Sequence, residues 1–130
     1  MPLAVVVSGA NTHDVKLLEA TLDAIVVTRP PVEDDAPQHL CADAGYTGLP
    51  ALTVIMDHEY TPHVRSRGEE KREKEEGQKA RRWVVEVTFS WFNRFRKLLI
   101  RWEKKHSNYL ALLHFACAII VWRKILPVHR

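Results

Sequence analysis

Cysteine is scarce in this chain of 130 residues: only Cys41 and Cys117 occur, and neither has a partner at the spacing of a disulfide framework or a zinc site. Both lie in apolar runs, which predicts buried, reduced thiols in a cytoplasmic protein. The seven histidines also lack metal-ligand spacing with the cysteines. The opening Met1–Gly9 lacks the basic stretch and the length of a signal peptide. No apolar run reaches membrane length: 109–122 is interrupted by His114 and reads as a core helix, so no membrane partner is expected. Internal repeats are absent. These gaps argue against a secreted disulfide scaffold and a zinc module, and no spanning segment is expected.

What is there is charge, unevenly divided. Residues 1–64 hold two cations against nine acids, a net of −7, whereas residues 65–130 hold seventeen cations against seven acids, a net of +10. A polarity of this size points the C-terminal half towards a polyanion such as DNA, with steeply salt-dependent binding. A solvated, charged helical surface is the other reading of the same split.

The order of elements predicts an α/β layer. Leu3–Val7 is a β-branched run ended by Ser8-Gly9, and a strand by pattern. It does not alternate, as expected of a strand covered on both faces. Thr12 or Asp14 can cap a helix with Val15, Leu18, Leu22 and Ile25 at helical spacing. Arg29–Ala36 is a loop, His39–Ala42 a second buried strand, 48–58 a helix, and Tyr60–Val64 a third strand. Residues 1–64 thus form the sheet region, the charged run 65–80 a linker or helical extension, and 81–126 a helical region. The last is expected to hold two long helices, roughly 82–105 and 107–124, with Ser107 or Asn108 capping the second. One domain over 1–130 is the expectation.

Two acids stand out. Asp43 follows the second strand, and in parallel sheets functional side chains collect at the carboxyl ends of strands. Its other role is a turn acid capping the bend at Gly45. Glu86 heads the 82–105 helix, where a continuous helix would align it with Ser90, Asn93, Lys97 and Arg101 and would carry Val84, Val87, Trp91, Phe95, Leu98 and Trp102 as an apolar stripe. A salt bridge to Arg82 is its alternative role. Converging carboxylates suit a pair of Mg²⁺ or Mn²⁺ ions ~3.5–4 Å apart, the arrangement that cuts and joins phosphodiesters. His63 on the third strand is near enough in sequence order to approach such a site, though a half-exposed strand histidine is the plainer reading. Trp83, Trp91, Trp102 and Trp122 are assigned to core packing, with a nucleotide contact open for Trp83.

Four ordered blocks resemble a known family. Residues 2–14 (PLAVVVSGANTHD), 40–48 (LCADAGYTG), 82–101 with its Arg82-x-x-x-Glu86 step, and 108–117 (NYLALLHFAC) look like successive blocks of bacterial DDE transposases of the insertion-sequence-four/five-like group. The resemblance covers nearly the whole chain. It implies an RNase H-like mixed sheet, Asp43 and Glu86 as the second and third catalytic, metal-binding acids, and Mg²⁺ or Mn²⁺ as cofactor. It implies DNA contacts by Arg82, Asn93, Arg94, Lys97 and Arg101, with element ends and target DNA as substrates and a second copy or an intact transposase as partner. Lys79 stands where a Tyr often precedes the Arg, Val87 where an Arg often follows the Glu, and Asn93 where a Lys is common. The family's first Asp lies upstream of the block that begins at Pro2. The expectation is therefore an N-terminally truncated copy, inactive alone, or a DNA-binding or oligomerising remnant that modulates an intact transposase.

Overall fold

A computed structural model describes residues 1–33, 35–64 and 83–126. The chain divides into two compact units, one of Ser8–Arg81 and one of Met1–Val7 with Arg82–Arg130. Together they hold a mixed α/β set of elements with a small parallel sheet.

In the 8–81 unit a short 3-10 turn, Asp14–Leu17, leads into α1 (Leu18–Asp23). Its cap is His13, whose Nδ1 accepts from the Val15 amide at 3.4 Å, rather than Thr12 or Asp14. Then follow β1 (His39–Ala42), α2 (Leu49–Asp57) and β2 (Thr61–Val64). β1 and β2 pair in parallel, His39 opposite Thr61 and Ala42 opposite Val64. The helix between them is the crossover that parallel strands require. Leu18, Leu22, Ala51 and Ile55 form the core, with Val15, Ile25, Leu40, Tyr46, Val54, Tyr60 and Val64 packed on it.

Both strands alternate between exposed and half-buried positions. Leu40, Ala42, Pro62 and Val64 lie on one face, and His39, Cys41, Thr61 and His63 on the exposed one. The expectation of strands covered on both faces is thus corrected. Cys41 is an exposed free thiol and Cys117 a half-buried one, so the expectation of two buried thiols also fails. Burial pushes the Cys117 thiol up from its ordinary value.

α2 ends in a left-handed residue. Glu59 has φ 59°, the Tyr60 amide reaches back to the Ile55 carbonyl at 3.1 Å, and the Glu59 amide to Met56 at 2.8 Å. Such a terminus normally selects glycine, which has no Cβ to crowd the backbone. Arg29 covers the turn: its Nη2 donates to the His58 carbonyl at 2.9 Å and its guanidinium lies 4.2 Å from the Tyr60 ring centroid.

The second unit differs most from expectation. Leu3–Val7 is not a strand. A strand needs backbone partners on at least one edge; among the described residues the contact made to its backbone is the His106 ring, whose Nε2 lies 3.4 Å from the Val7 carbonyl. The helix predicted for 82–105 is two pieces, α3 (Trp83–Phe92) and α4 (Arg96–Leu99). The Arg94 and Phe95 amides bond back only three residues, to Trp91 and Phe92, and Phe95 is extended at φ −96°, ψ 96°. Asn and aromatic residues are weak helix formers, so little local preference opposes the break. It ends the apolar stripe predicted to run to Trp102, and separates Lys97 and Arg101 from the face of Glu86.

α5 (His106–Ile125) closes the unit, with Lys105 rather than Ser107 or Asn108 at its N-cap position. Leu113, Ala116 and Ile120 are its buried face. By length and composition alone it is long and apolar enough to cross a membrane. α4 packs on α5, and Lys124 of α5 lies 4.7 Å from the Trp91 ring centroid of α3. Trp102 and Trp122 are 75% and 65% exposed, so neither is core. Trp83 and the run 65–80 lie outside what is described for side chains and backbone respectively.

Candidate functional site

Asp43 is the first residue past β1. Its backbone is still extended (φ −78°, ψ 175°), and it caps the 3-10 turn Ala44–Tyr46 by accepting the Gly45 amide on Oδ1 at 2.9 Å. The approach is close: a Cβ on Gly45 would meet that oxygen at 3.0 Å. The turn role weighed from sequence is therefore real. It does not consume the carboxylate, which is exposed and whose second oxygen has no hydrogen-bond partner among the described residues.

Tyr46 is a neighbour that sequence reasoning passed over. Burial first, then the charges of Asp14 and Asp43, hold its phenol above the ordinary value of 10.0. Asp14 thus acts on the same residue as Asp43, although its position on a different element gave no sign of this. Nothing shorter than the fold itself links residue 14 to residue 43.

Glu86 is exposed on the first turn of α3. Ser90 turns back on its own helix, donating to the Val87 carbonyl at 2.7 Å. Arg82, the alternative partner of Glu86, lies outside the described residues. Asp43 belongs to the 8–81 unit and Glu86 to the other.

Of the DNA-contact candidates, Asn93, Arg94, Lys97 and Arg101 are all exposed. Asn93 and Arg94 sit in the break after α3, Lys97 in α4 and Arg101 in the segment beyond it, so three different local structures carry them. Arg101 is partly engaged: its guanidinium lies 5.3 Å from the Tyr109 ring centroid and its Nε donates to the Glu103 carbonyl at 3.3 Å. A shallow groove in this unit is lined by Glu103, Asn108, Ala111, Leu112 and Phe115, none of them a candidate residue. His63 is exposed and packs edge-on to His39 at 4.8 Å. Among the described residues no three His, Cys, Asp or Glu side chains are grouped to hold a metal ion.

The structure defines a mixed α/β class: a strand-end carboxylate in a unit with a small parallel sheet, joined in sequence to a strongly basic helical unit. Comparison with known proteins makes the class specific. The family model described as "Transposase DDE domain" matches residues 1–121. The chain is also 32% identical over 130 residues to a "Putative transposase for insertion sequence element IS402" of Burkholderia cepacia, covering 95% of this chain and 58% of that one. The chain belongs to the DDE-domain transposase family of insertion sequences. It spans little more than half the length of the curated relative it matches. No solved structure matches.

Proposed function

We propose that this chain contributes Asp43 and Glu86 to a divalent-metal centre that cleaves and joins DNA, as part of an RNase H-like transposase domain. The observation that carries the reading is Asp43 itself: an exposed carboxylate at the carboxyl end of a parallel strand, with one oxygen fixed by Gly45 and the other without a hydrogen-bond partner among the described residues. Hard carboxylate oxygens fit Mg²⁺ or Mn²⁺. Such ions, when bound, supply Lewis acidity to the attacking and leaving oxygens of a phosphodiester. Asp43 and Glu86 are the second and third acids, and the family's first Asp has no counterpart within these 130 residues. Arg82, Asn93, Arg94, Lys97 and Arg101 hold the phosphates of element-end and target DNA. A DNA substrate fits a cytoplasmic protein with α5 as a packing helix rather than a membrane span.

A second reading is a DNA-binding or oligomerising piece that modulates an intact transposase. Phe115, Trp122 and Ile125, large apolar side chains exposed on α5, favour it. Mn²⁺ titration followed by electron paramagnetic resonance tests the first reading. Asp43→Ala and Glu86→Ala should each weaken the same site; loss in only one variant, or in neither, rejects a shared ion.

A further inference from the structure

The segment between α4 and α5 combines features that the residue roles above do not use. Ile100 leaves α4 with extended backbone (φ −125°, ψ 120°), and Lys105 enters α5 with another (φ −83°, ψ 126°). Successive side chains of an extended chain point to opposite sides. Arg101 is drawn in over Tyr109, and Glu103 is half-buried along the groove with Asn108 and Phe115. Trp102, between them, is turned out to 75% exposure, and among the described residues no ring or cation packs on it. Trp91 differs, since Lys124 already covers its ring.

The surroundings are cationic. Arg94, Arg96, Lys97, Arg101, Lys104 and Lys105 are exposed, all within eight positions of Trp102 along the chain. The acid nearby is Glu103, half-buried along the groove, and it is the only acid between residues 87 and 130. A bare aromatic ring among cations is what single-stranded nucleic acid binding uses: the cations track phosphates and the ring takes a base face. Within a duplex the interior base faces are already stacked and closed to the ring.

We infer that Trp102 is a stacking platform for an unpaired nucleobase of a DNA strand held by the surrounding cations. The inference rests on the DNA-binding part of the proposed function and adds the state of the strand to it. A transposase of this kind would use such a platform on a frayed or single-stranded end.

Fluorescence anisotropy at low salt tests this with the 130-residue chain and three labelled probes: a short oligothymidylate, an abasic strand of equal length, and a blunt duplex. Stacking of one base predicts that Trp102→Ala weakens oligothymidylate binding about 5- to 150-fold, with duplex affinity held within about twofold. Trp102→Phe should recover most of the loss. The unmutated protein should prefer oligothymidylate to the abasic strand by a similar factor, an arm that does not depend on a variant folding. Equal affinity for those two strands, or equal weakening of single strand and duplex by Trp102→Ala, overturns the platform while leaving DNA binding intact. Failure to bind any probe rejects both.

Discussion

Asp43 and Gly45 are locked together at the end of β1: the Gly45 amide donates to Asp43 Oδ1 at 2.9 Å, and a Cβ on residue 45 would stand 3.0 Å from that oxygen. Capping and ligand roles can be separated by substitution. Asp43→Ala should cost about 0.5–2 kcal/mol, the range for removing a helix cap, whereas Asp43→Asn keeps an acceptor oxygen and should cost little. Both should weaken Mn²⁺ binding if the carboxylate is a ligand. Chemical denaturation beside the metal titration reads the two effects separately, and full Mn²⁺ affinity in Asp43→Asn would leave Asp43 as a cap alone.

Asp23 and His58 tie the end of α1 to the end of α2. Asp23 Oδ1 lies 3.0 Å from Nε2, and Nδ1 lies 2.8 Å from the Val54 carbonyl. Acceptors at both ring nitrogens favour the doubly protonated ring. The Asp23 hydrogen bond, then the Val54 one, raise the His58 pKa above 6.5, with desolvation opposing and the Asp23 and Glu19 charges adding. A raised folded-state value means that the bridge stabilises fully below 6.5 and loses that contribution as pH rises through the folded value. Asp23→Asn should therefore lower the melting temperature at about pH 6 and change it little at about pH 9. A deficit that does not vary with pH would show that the bridge is not ionic.

Glu59 occupies a left-handed position at φ 59°. Its ion pair to Arg29 is long at 3.8 Å and leaves the Glu59 carboxylate mostly exposed, so it adds little. Glu59→Gly should relieve the Cβ strain and stabilise the protein by about 1 kcal/mol. Equilibrium denaturation checks it; a loss of stability would assign Glu59 a larger role through Arg29.

The exposed cations of the second unit should make DNA binding steeply salt-dependent. Arg94→Ala and Lys97→Ala should each reduce the slope of log affinity against log salt by about 1. Arg101→Ala should also lower stability, by about 0.5–1 kcal/mol, because its guanidinium rests on Tyr109. Anisotropy titrations at several salt concentrations give the slopes, and binding that is insensitive to salt would reject phosphate contact.

Strand transfer should be absent from the 130-residue chain assayed alone. In-line displacement needs both oxygens stabilised, and groups acting as one catalytic unit fail together. Pre-cleaved element ends with Mg²⁺ or Mn²⁺ should give at most trace nicking. Robust transfer abolished by Glu86→Ala would show that another acid completes the centre, and Asp14, which shares the neighbourhood of Tyr46 with Asp43, is the one to substitute next.

Features set by neighbours in the chain were legible without coordinates. The short runs 39–42 and 60–64 read as strands and match β1 and β2 almost to the residue, though not the burial expected of them, and Gly48-Leu49-Pro50 marks the start of α2. Asp43-Ala44-Gly45 forms the turn its composition calls for, because an aspartate can cap the amide two residues on. The family, too, is carried by ordered local blocks. Leu3–Val7 has strand character but no ladder partner among the described residues, and side-chain pattern alone supplies none. The break at Asn93–Phe95 carries no proline or glycine to announce it, and it redistributes the cations over separate elements. Trp102 looks like core in a periodic pattern and becomes a surface ring once the helix ends before it. Asp23 and His58 meet across thirty-five residues. Sequence determined the conformations stabilised by short-range hydrogen bonds and turn chemistry. Tertiary structure decided pairing, breaks and exposure, because these depend on groups that only the folded chain brings within reach.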